Sequence, residues 1–156
     1  MEEHTCNPKG SCTILQQKLL ESTSKEKVNL MSQLGETGCS HAYSFLKSYV
    51  HTEFRKPALV AMAKINYTAT IDIIVGLLKK DNEEKETIET LSVIFDDRAQ
   101  KQNWDYVLDE FKNTFPPPDN RLKNILLCSF SNAIRFSNNI PNTEVPKYLT
   151  KINEMF

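Results

Sequence analysis

The feature that most constrains this chain is a short apolar segment that recurs at a nearly constant spacing. Gln33-Leu34-Gly35-Glu36, Lys64-Ile65-Asn66-Tyr67 and Val93-Ile94-Phe95-Asp96 are separated by 31 and 29 residues. A period of this length accommodates one helix, a turn and a second helix. A helix pair with one apolar face cannot bury that face alone, so we expect successive pairs to stack on one another.

The residues between these segments carry apolar side chains at helical spacing. One stripe precedes Pro116 and a second follows Asp119, and both repeat every three or four residues, as the buried face of an α-helix does. The first stripe comprises Trp104, Val107, Leu108, Phe111 and Phe115. Similar stripes elsewhere predict about nine helices, arranged as four pairs and a terminal helix.

Capping residues and prolines predict where several helices begin. Pro57 lacks only its own N–H, which has no partner in the first turn of a helix, so it fits a helix that starts near Phe54. Side-chain oxygens at other helix starts can accept hydrogen bonds from free backbone N–H groups. The candidate caps are Ser24, Thr68 or Thr70, and Asp119 or Asn120.

Two segments of the chain resemble the HEAT-repeat pattern. They are Leu34-Gly35-Glu36-Thr37-Gly38 and, after a helix and a turn, the apolar run 58–65. The resemblance covers residues 24 to 97, although the family's aspartate and arginine at the start of the second helix are absent or displaced, with Arg55 the nearest candidate. An irregular helical bundle is the alternative to this interpretation.

The resemblance implies an all-α fold, an α-solenoid of about four stacked antiparallel helix pairs plus a C-terminal capping helix. We expect this domain to span residues 11–156, after a flexible tail over residues 1–10 that shows no apolar period. The resemblance also implies recognition of a protein or nucleic acid, with catalysis the exception.

Negative charge is concentrated in one part of the chain. Residues 81 to 110 contain three Lys/Arg and ten Asp/Glu, whereas residues 1 to 80 contain ten and seven and residues 112 to 156 contain six and three. Complementary charge steers a partner and raises its association rate. A solvated helix face is the alternative, since acids also stabilise a helix N-terminus. The candidate partner-binding residues are Glu83, Glu84, Glu86, Glu89, Asp96, Asp97 and the off-stripe Tyr106.

These features favour a non-enzymatic protein-binding module, in its most concrete form a small inhibitor or immunity-type protein that covers a basic target. An adaptor or assembly scaffold that binds a peptide or helix on a concave face is one alternative. A nucleic-acid-binding helical-repeat protein is the other, based on Lys47, Arg55, Lys56 and Lys64. The sequence pI of about 6.3 disfavours nucleic acid as a partner of the whole molecule.

No cofactor, catalytic or metal site is predicted. The spacing of His4, Cys6 and Cys12 matches no common zinc site, even if Cys39 or His41 supplied a further ligand. Cys39 and His41 are two residues apart and point away from each other on a helix, which excludes cysteine–histidine catalysis.

The expected location is cytoplasmic. The chain starts with acids and lacks an apolar run that could serve as a signal or span a membrane. All four cysteines are therefore expected to be reduced thiols, with Cys128 buried on an apolar helix face.

Overall fold

A computed structural model describes residues 11–80, 83–138 and 140–156. Within these ranges every regular element is an α-helix, so the predicted all-α class is confirmed. The predicted number of about nine helices is also confirmed for this part of the chain. The helices are α1 Ser11–Glu21, α2 Ser24–Thr37, α3 Ser40–Lys47, α4 Arg55–Ile65, α5 Tyr67–Leu78, α6 Glu84–Lys101, α7 Trp104–Thr114, α8 Asn120–Arg135 and α9 Val145–Met155.

The helices belong to two compact units, Met1–Gly76 and Leu77–Phe156, and the last turn of α5 lies across the boundary. The prediction of one domain over residues 11–156 stays a prediction, and the predicted tail over residues 1–10 lies outside the described residues. No described helix is both long enough and apolar enough to cross a lipid bilayer.

In the first unit, α2 and α4 share the most extensive contact, while α1 packs on α2 and α3 packs on α4. Gly35 lies at the crossing of α2 and α4. A Cβ atom at this glycine would lie 2.9 Å from the carbonyl oxygen of Ala61 and 3.0 Å from its Cα. Gly35 therefore allows the two backbones to approach more closely than any other residue would. One turn later, Gly38 ends α2 with a φ of 66°, a conformation that favours glycine.

In the second unit, α6 packs on α8, and α7 and α9 cover the remaining sides of this pair. Large aromatic side chains fill the crossing. The Phe95 and Phe130 rings are stacked with their centroids 3.9 Å apart, and Phe111 meets both rings edge-on at 6.1 Å and 5.4 Å. Ser92 Oγ also donates a hydrogen bond across the crossing to the Ser129 carbonyl oxygen.

The helix boundaries follow the predicted pattern, but two of the caps differ. Helix α4 starts at Arg55 with Phe54 as its N-cap, which places Pro57 in the first turn as predicted. Asp119 caps α8 by accepting from Leu122 N. Thr23 rather than Ser24 caps α2, because its hydroxyl and the Glu26 carboxylate each accept from the other's backbone N–H.

Neither Thr68 nor Thr70 caps α5. Asn66 precedes the helix, and its Oδ1 accepts from Ala69 N. Thr70 instead lies buried one turn into the helix, where it donates to the Asn66 carbonyl oxygen and lies 3.3 Å from the Tyr43 hydroxyl oxygen. Asn66 therefore caps α5 in place of the predicted threonines, because its side chain reaches a free backbone N–H group of the first turn.

Two predictions for the cysteines are wrong. Cys128 is exposed, because it faces away from the buried α8 stripe that includes Ile125, Leu126 and Ser129. Cys39 is disulfide-bonded, whereas Cys12 and Cys128 are free. A disulfide is typical of an oxidising compartment. The cytoplasmic location stays a prediction, and the Cys39 disulfide does not favour it.

Candidate protein-binding surface

One side of α6 carries acids around an exposed valine. Glu86, Glu89 and Val93, followed by Asp96 and Asp97, are spaced by three or four residues along α6. This spacing places their side chains on one face of the helix, opposite the side that buries Phe95 and Ala99. Glu89 and Val93 are exposed, and the other three residues are half-buried. We call this surface the acidic face and define it as Glu86, Glu89, Val93, Asp96 and Asp97.

Asp96 is the acid with incomplete hydrogen bonding. Its Oδ2 atom accepts from Gln100 Nε2 at 2.9 Å. Its Oδ1 atom is buried and has no hydrogen-bond partner among the described residues. A carboxylate oxygen withdrawn from water without a donor is unfavourable, so an added donor at this position would stabilise the carboxylate.

The two acids at the start of α6 have other roles. Glu83 is the N-cap residue, and its carbonyl oxygen accepts hydrogen bonds from Thr87 N and Thr87 Oγ1. Glu84 Oε1 lies 2.8 Å from Arg121 Nε of α8, and Arg121 Nη1 also donates to the Leu78 carbonyl oxygen at 2.7 Å. Glu84 therefore ties α6 to α8 and is not part of the acidic face.

Tyr106 lies in the first turn of α7 and is 43% exposed, as its position off the apolar stripe predicts. Asn103 caps this helix by accepting from Tyr106 N at 2.7 Å. The Arg98 guanidinium carbon lies 5.8 Å from the Tyr106 ring centroid, within the range of a cation–π contact. Arg98 also forms two hydrogen bonds to the Glu110 carboxylate, at 3.2 Å and 2.7 Å. Tyr106 is thus linked to α6 through Arg98.

Asp105 and Asp109 of the negative segment are held by a lysine of α9. Lys151 Nζ lies 3.5 Å from Asp105 Oδ1 and 3.2 Å from Asp109 Oδ1. Burial lowers the Lys151 pKa, but the hydrogen bond to Asp109 and the charges of both carboxylates outweigh this effect, so the pKa is raised. Burial, and next the Asp105 charge, raise the pKa of the neighbouring Tyr148.

The structure therefore divides the acids that the sequence grouped together. Glu84, Asp105, Asp109 and Glu110 form ion pairs inside the second unit. The acidic face keeps four of the predicted site residues, and Glu83 stands beside it at the helix start. Sequence reasoning missed Val93, which is 37% exposed at the centre of the face. Its spacing from Glu86, Glu89 and Asp96 was the signal that could have identified it.

The basic residues considered for nucleic acid are partly occupied in their own unit. Lys64 Nζ lies 2.9 Å from Glu36 Oε1 and within 3.3 Å of Ser32 Oγ. Arg55 Nε donates to the Val50 carbonyl oxygen at 2.7 Å. These contacts reduce the positive charge that is available to phosphate groups.

The structure offers no metal-binding cluster of three or more His, Cys, Asp or Glu side chains within the described residues. His4 and Cys6 lie outside those residues, Cys12 is buried, and a disulfide-bonded Cys39 has no thiolate to offer a metal. The chain matches no protein family model, and comparisons with curated proteins and with solved structures give no significant match.

Proposed function

We propose that the chain is a non-enzymatic protein-binding module, and that the acidic face of α6 is where it docks a basic partner. The supporting observation is Val93, an exposed apolar side chain with carboxylates on either side along the helix. Interfaces combine an apolar contact at the centre with polar groups at the rim. The acidic face has this composition, with charge that would attract Lys and Arg side chains.

Asp96 adds negative charge to the same surface. Its carboxylate is half-buried and its Oδ2 atom accepts from the exposed Gln100, so it would attract an Arg or Lys of the partner through its charge. The most concrete form of the proposal is a small inhibitor or immunity-type protein that covers a basic region of its target. Tyr106, exposed beside Arg98, is a second contact in this proposal.

The test is to capture the partner from native cells, identify it by mass spectrometry, and measure its affinity after purification. The triple variant Glu86→Gln/Glu89→Gln/Asp97→Asn is expected to weaken binding by about tenfold or more and to reduce its salt dependence. A matched control is Glu21→Gln/Glu53→Gln/Asp72→Asn, which removes the same charge from exposed acids of the first unit. Equal affinities for the two triple variants would contradict the proposal.

We further propose that the helix pairs within each unit stack on one another as in a HEAT-like solenoid. Contacts between every second helix within a unit, α2 with α4 and α6 with α8, support this proposal because stacked pairs bring equivalent helices side by side. An experimental structure in which α2 does not pack beside α4, or α6 does not pack beside α8, would count against this proposal.

A further inference from the structure

The second unit contains a recess that the proposed function does not use. It lies where α7 ends, beside the start of α8 and the end of α9, and has a volume of about 390 Å³. Phe111, Phe115 and Phe156 supply aromatic surface. Phe111 packs against the other two rings, with centroids 4.7 Å from Phe115 and 6.1 Å from Phe156. Pockets of roughly 300–1,000 Å³ with apolar walls and a few polar groups are typical of small-molecule sites.

The sequence holds one wall of this recess in a fixed conformation. Helix α7 ends at Thr114, and Phe115 has the extended backbone angles φ −104° and ψ 146°. Pro116, Pro117 and Pro118 follow and line the recess. Each proline fixes its own φ and favours an extended conformation in the residue before it. The wall is therefore preorganised, so little conformational freedom would be lost on binding.

Two lysines at the recess give it a positive charge. Neither Lys112 nor Lys123 has an ion-pair partner among the residues that the structure describes. Three other cations of the same unit are neutralised, since Arg98, Arg121 and Lys151 each contact a carboxylate. The side-chain amide of Asn120 also lines the recess and adds a hydrogen-bond donor.

We propose that this recess binds a free anionic amphiphile with a single acyl chain or aromatic body, of which a medium-chain fatty acid is the simplest case. The apolar body would replace water on the Phe115 and Phe156 surface, which is favourable in proportion to the area buried. The carboxylate would accept from Lys112 and Lys123, and these charge-assisted hydrogen bonds would fix its orientation. This site is separate from the acidic face, so the two proposals stand or fall independently.

The test uses sodium decanoate below its micelle concentration and the full-length chain. Backbone amide resonances of residues 111–115 and 119–123 are expected to shift saturably. The double variant Lys112→Gln/Lys123→Gln is expected to weaken binding about fivefold or more. Lys85→Gln/Lys101→Gln is the matched control, because it removes the same charge from exposed lysines of the same unit. Decanol, which has the chain without the charge, is expected to bind more weakly than decanoate.

Three results would overturn this inference. The first is an absence of saturable shifts, and the second is equal weakening by the two double variants. The third is equal affinity for decanol and decanoate, since the lysines would then contribute nothing. Cosedimentation with anionic phospholipid vesicles separates a membrane surface from a free ligand. Binding to vesicles without binding of monomeric decanoate would also contradict the proposed site.

Discussion

Gly35 in the first unit and Phe95 in the second occupy the same position of the recurring apolar segment, yet their side chains are the smallest and one of the largest available. At Gly35 a single methyl group would collide with the Ala61 backbone of α4. At Phe95 a full ring is buried and stacks on Phe130 of α8. Both residues lie at the crossing between the two helices that pack most extensively in their unit.

The comparison separates two properties of a helix crossing, namely which face of each helix points inward and how the space between the helices is filled. The preceding residues, Leu34 and Ile94, are both buried, so the pattern specifies which face of each helix points inward. It does not specify how a crossing is filled. A glycine lets backbone atoms make the contact, whereas a phenylalanine fills the space with a side chain, and both can reach the density of a protein interior.

The largest expected effect comes from removing the Phe95 ring from the crossing of α6 and α8. Phe95→Ala would leave a cavity beside Phe130 and Phe111, and is expected to lower the free energy of unfolding by about 3–5 kcal/mol. Urea denaturation followed by circular dichroism measures this loss. Phe136→Ala is the control, because Phe136 is 82% exposed and should change stability little. A loss at Phe95 no greater than that at Phe136 would show that the ring is not a core residue.

The crossing at Gly35 is expected to be destabilised by adding atoms, whereas the crossing at Phe95 is destabilised by removing them. In Gly35→Ala the new methyl group would meet a carbonyl oxygen that cannot move without shifting α4, so the expected loss is about 1–3 kcal/mol. Gly76→Ala in α5 is a sharp control, since apart from its chain neighbours and the adjacent backbone of its own helix no atom lies within 4 Å of the position of its Cβ. That variant is expected to gain about 0.5–1 kcal/mol from helix propensity. If Gly35→Ala is stabilising in the same way as Gly76→Ala, the backbone contact at Gly35 does not require a glycine.

The smallest effect concerns alkaline pH. Burial raises the Tyr49 pKa in the first unit above 10.0, while burial and then the Asp105 and Glu144 charges raise the Tyr148 pKa in the second. The Lys151 pKa is raised above 10.5. These groups hold their protons more tightly when folded, so their contribution is complete below about pH 10 and is lost as the pH rises through the folded pKa values.

Thermal melts across the alkaline range measure this loss, which is expected to be at most about 1 kcal/mol. Tyr148→Phe cannot ionise and is expected to flatten the decline. Tyr49→Phe tests the contribution of burial without neighbouring carboxylates. If Tyr148→Phe declines as steeply as the unmodified chain, the coupling to Asp105 has no measurable effect.

Sequence periodicity predicted the helices because it depends on local spacing. The buried faces of α7 and α8, including Trp104, Phe111 and Phe130, follow the predicted stripes. The caps were less predictable where neighbouring polar residues compete. Thr23 and Ser24 both suit the start of α2, and only the reciprocal bonds with Glu26 select Thr23. The helix that contains Cys128 was predicted correctly, but the Cys128 side chain faces solvent and not the core.

The candidate surface was predictable only in part, because ion pairing depends on residues distant in sequence. Glu84 and Glu86 look equivalent in the sequence, but Arg121, 37 residues beyond Glu84, holds only the former in an ion pair. Val93 belongs to the recurring apolar segment, yet its side chain is 37% exposed. Charge counts located the acidic segment, whereas tertiary contacts determined which of its carboxylates are neutralised.

Arg121 also constrains the order in which the second unit can be completed. Its guanidinium holds the Leu78 carbonyl at the end of α5 and the Glu84 carboxylate at the start of α6. Leu78 lies 43 residues before Arg121, so Arg121 can make this contact only once α8 has docked. Contacts between residues so far apart require a large loop to close first. During synthesis, the contact can therefore form only after Arg121 has left the ribosome.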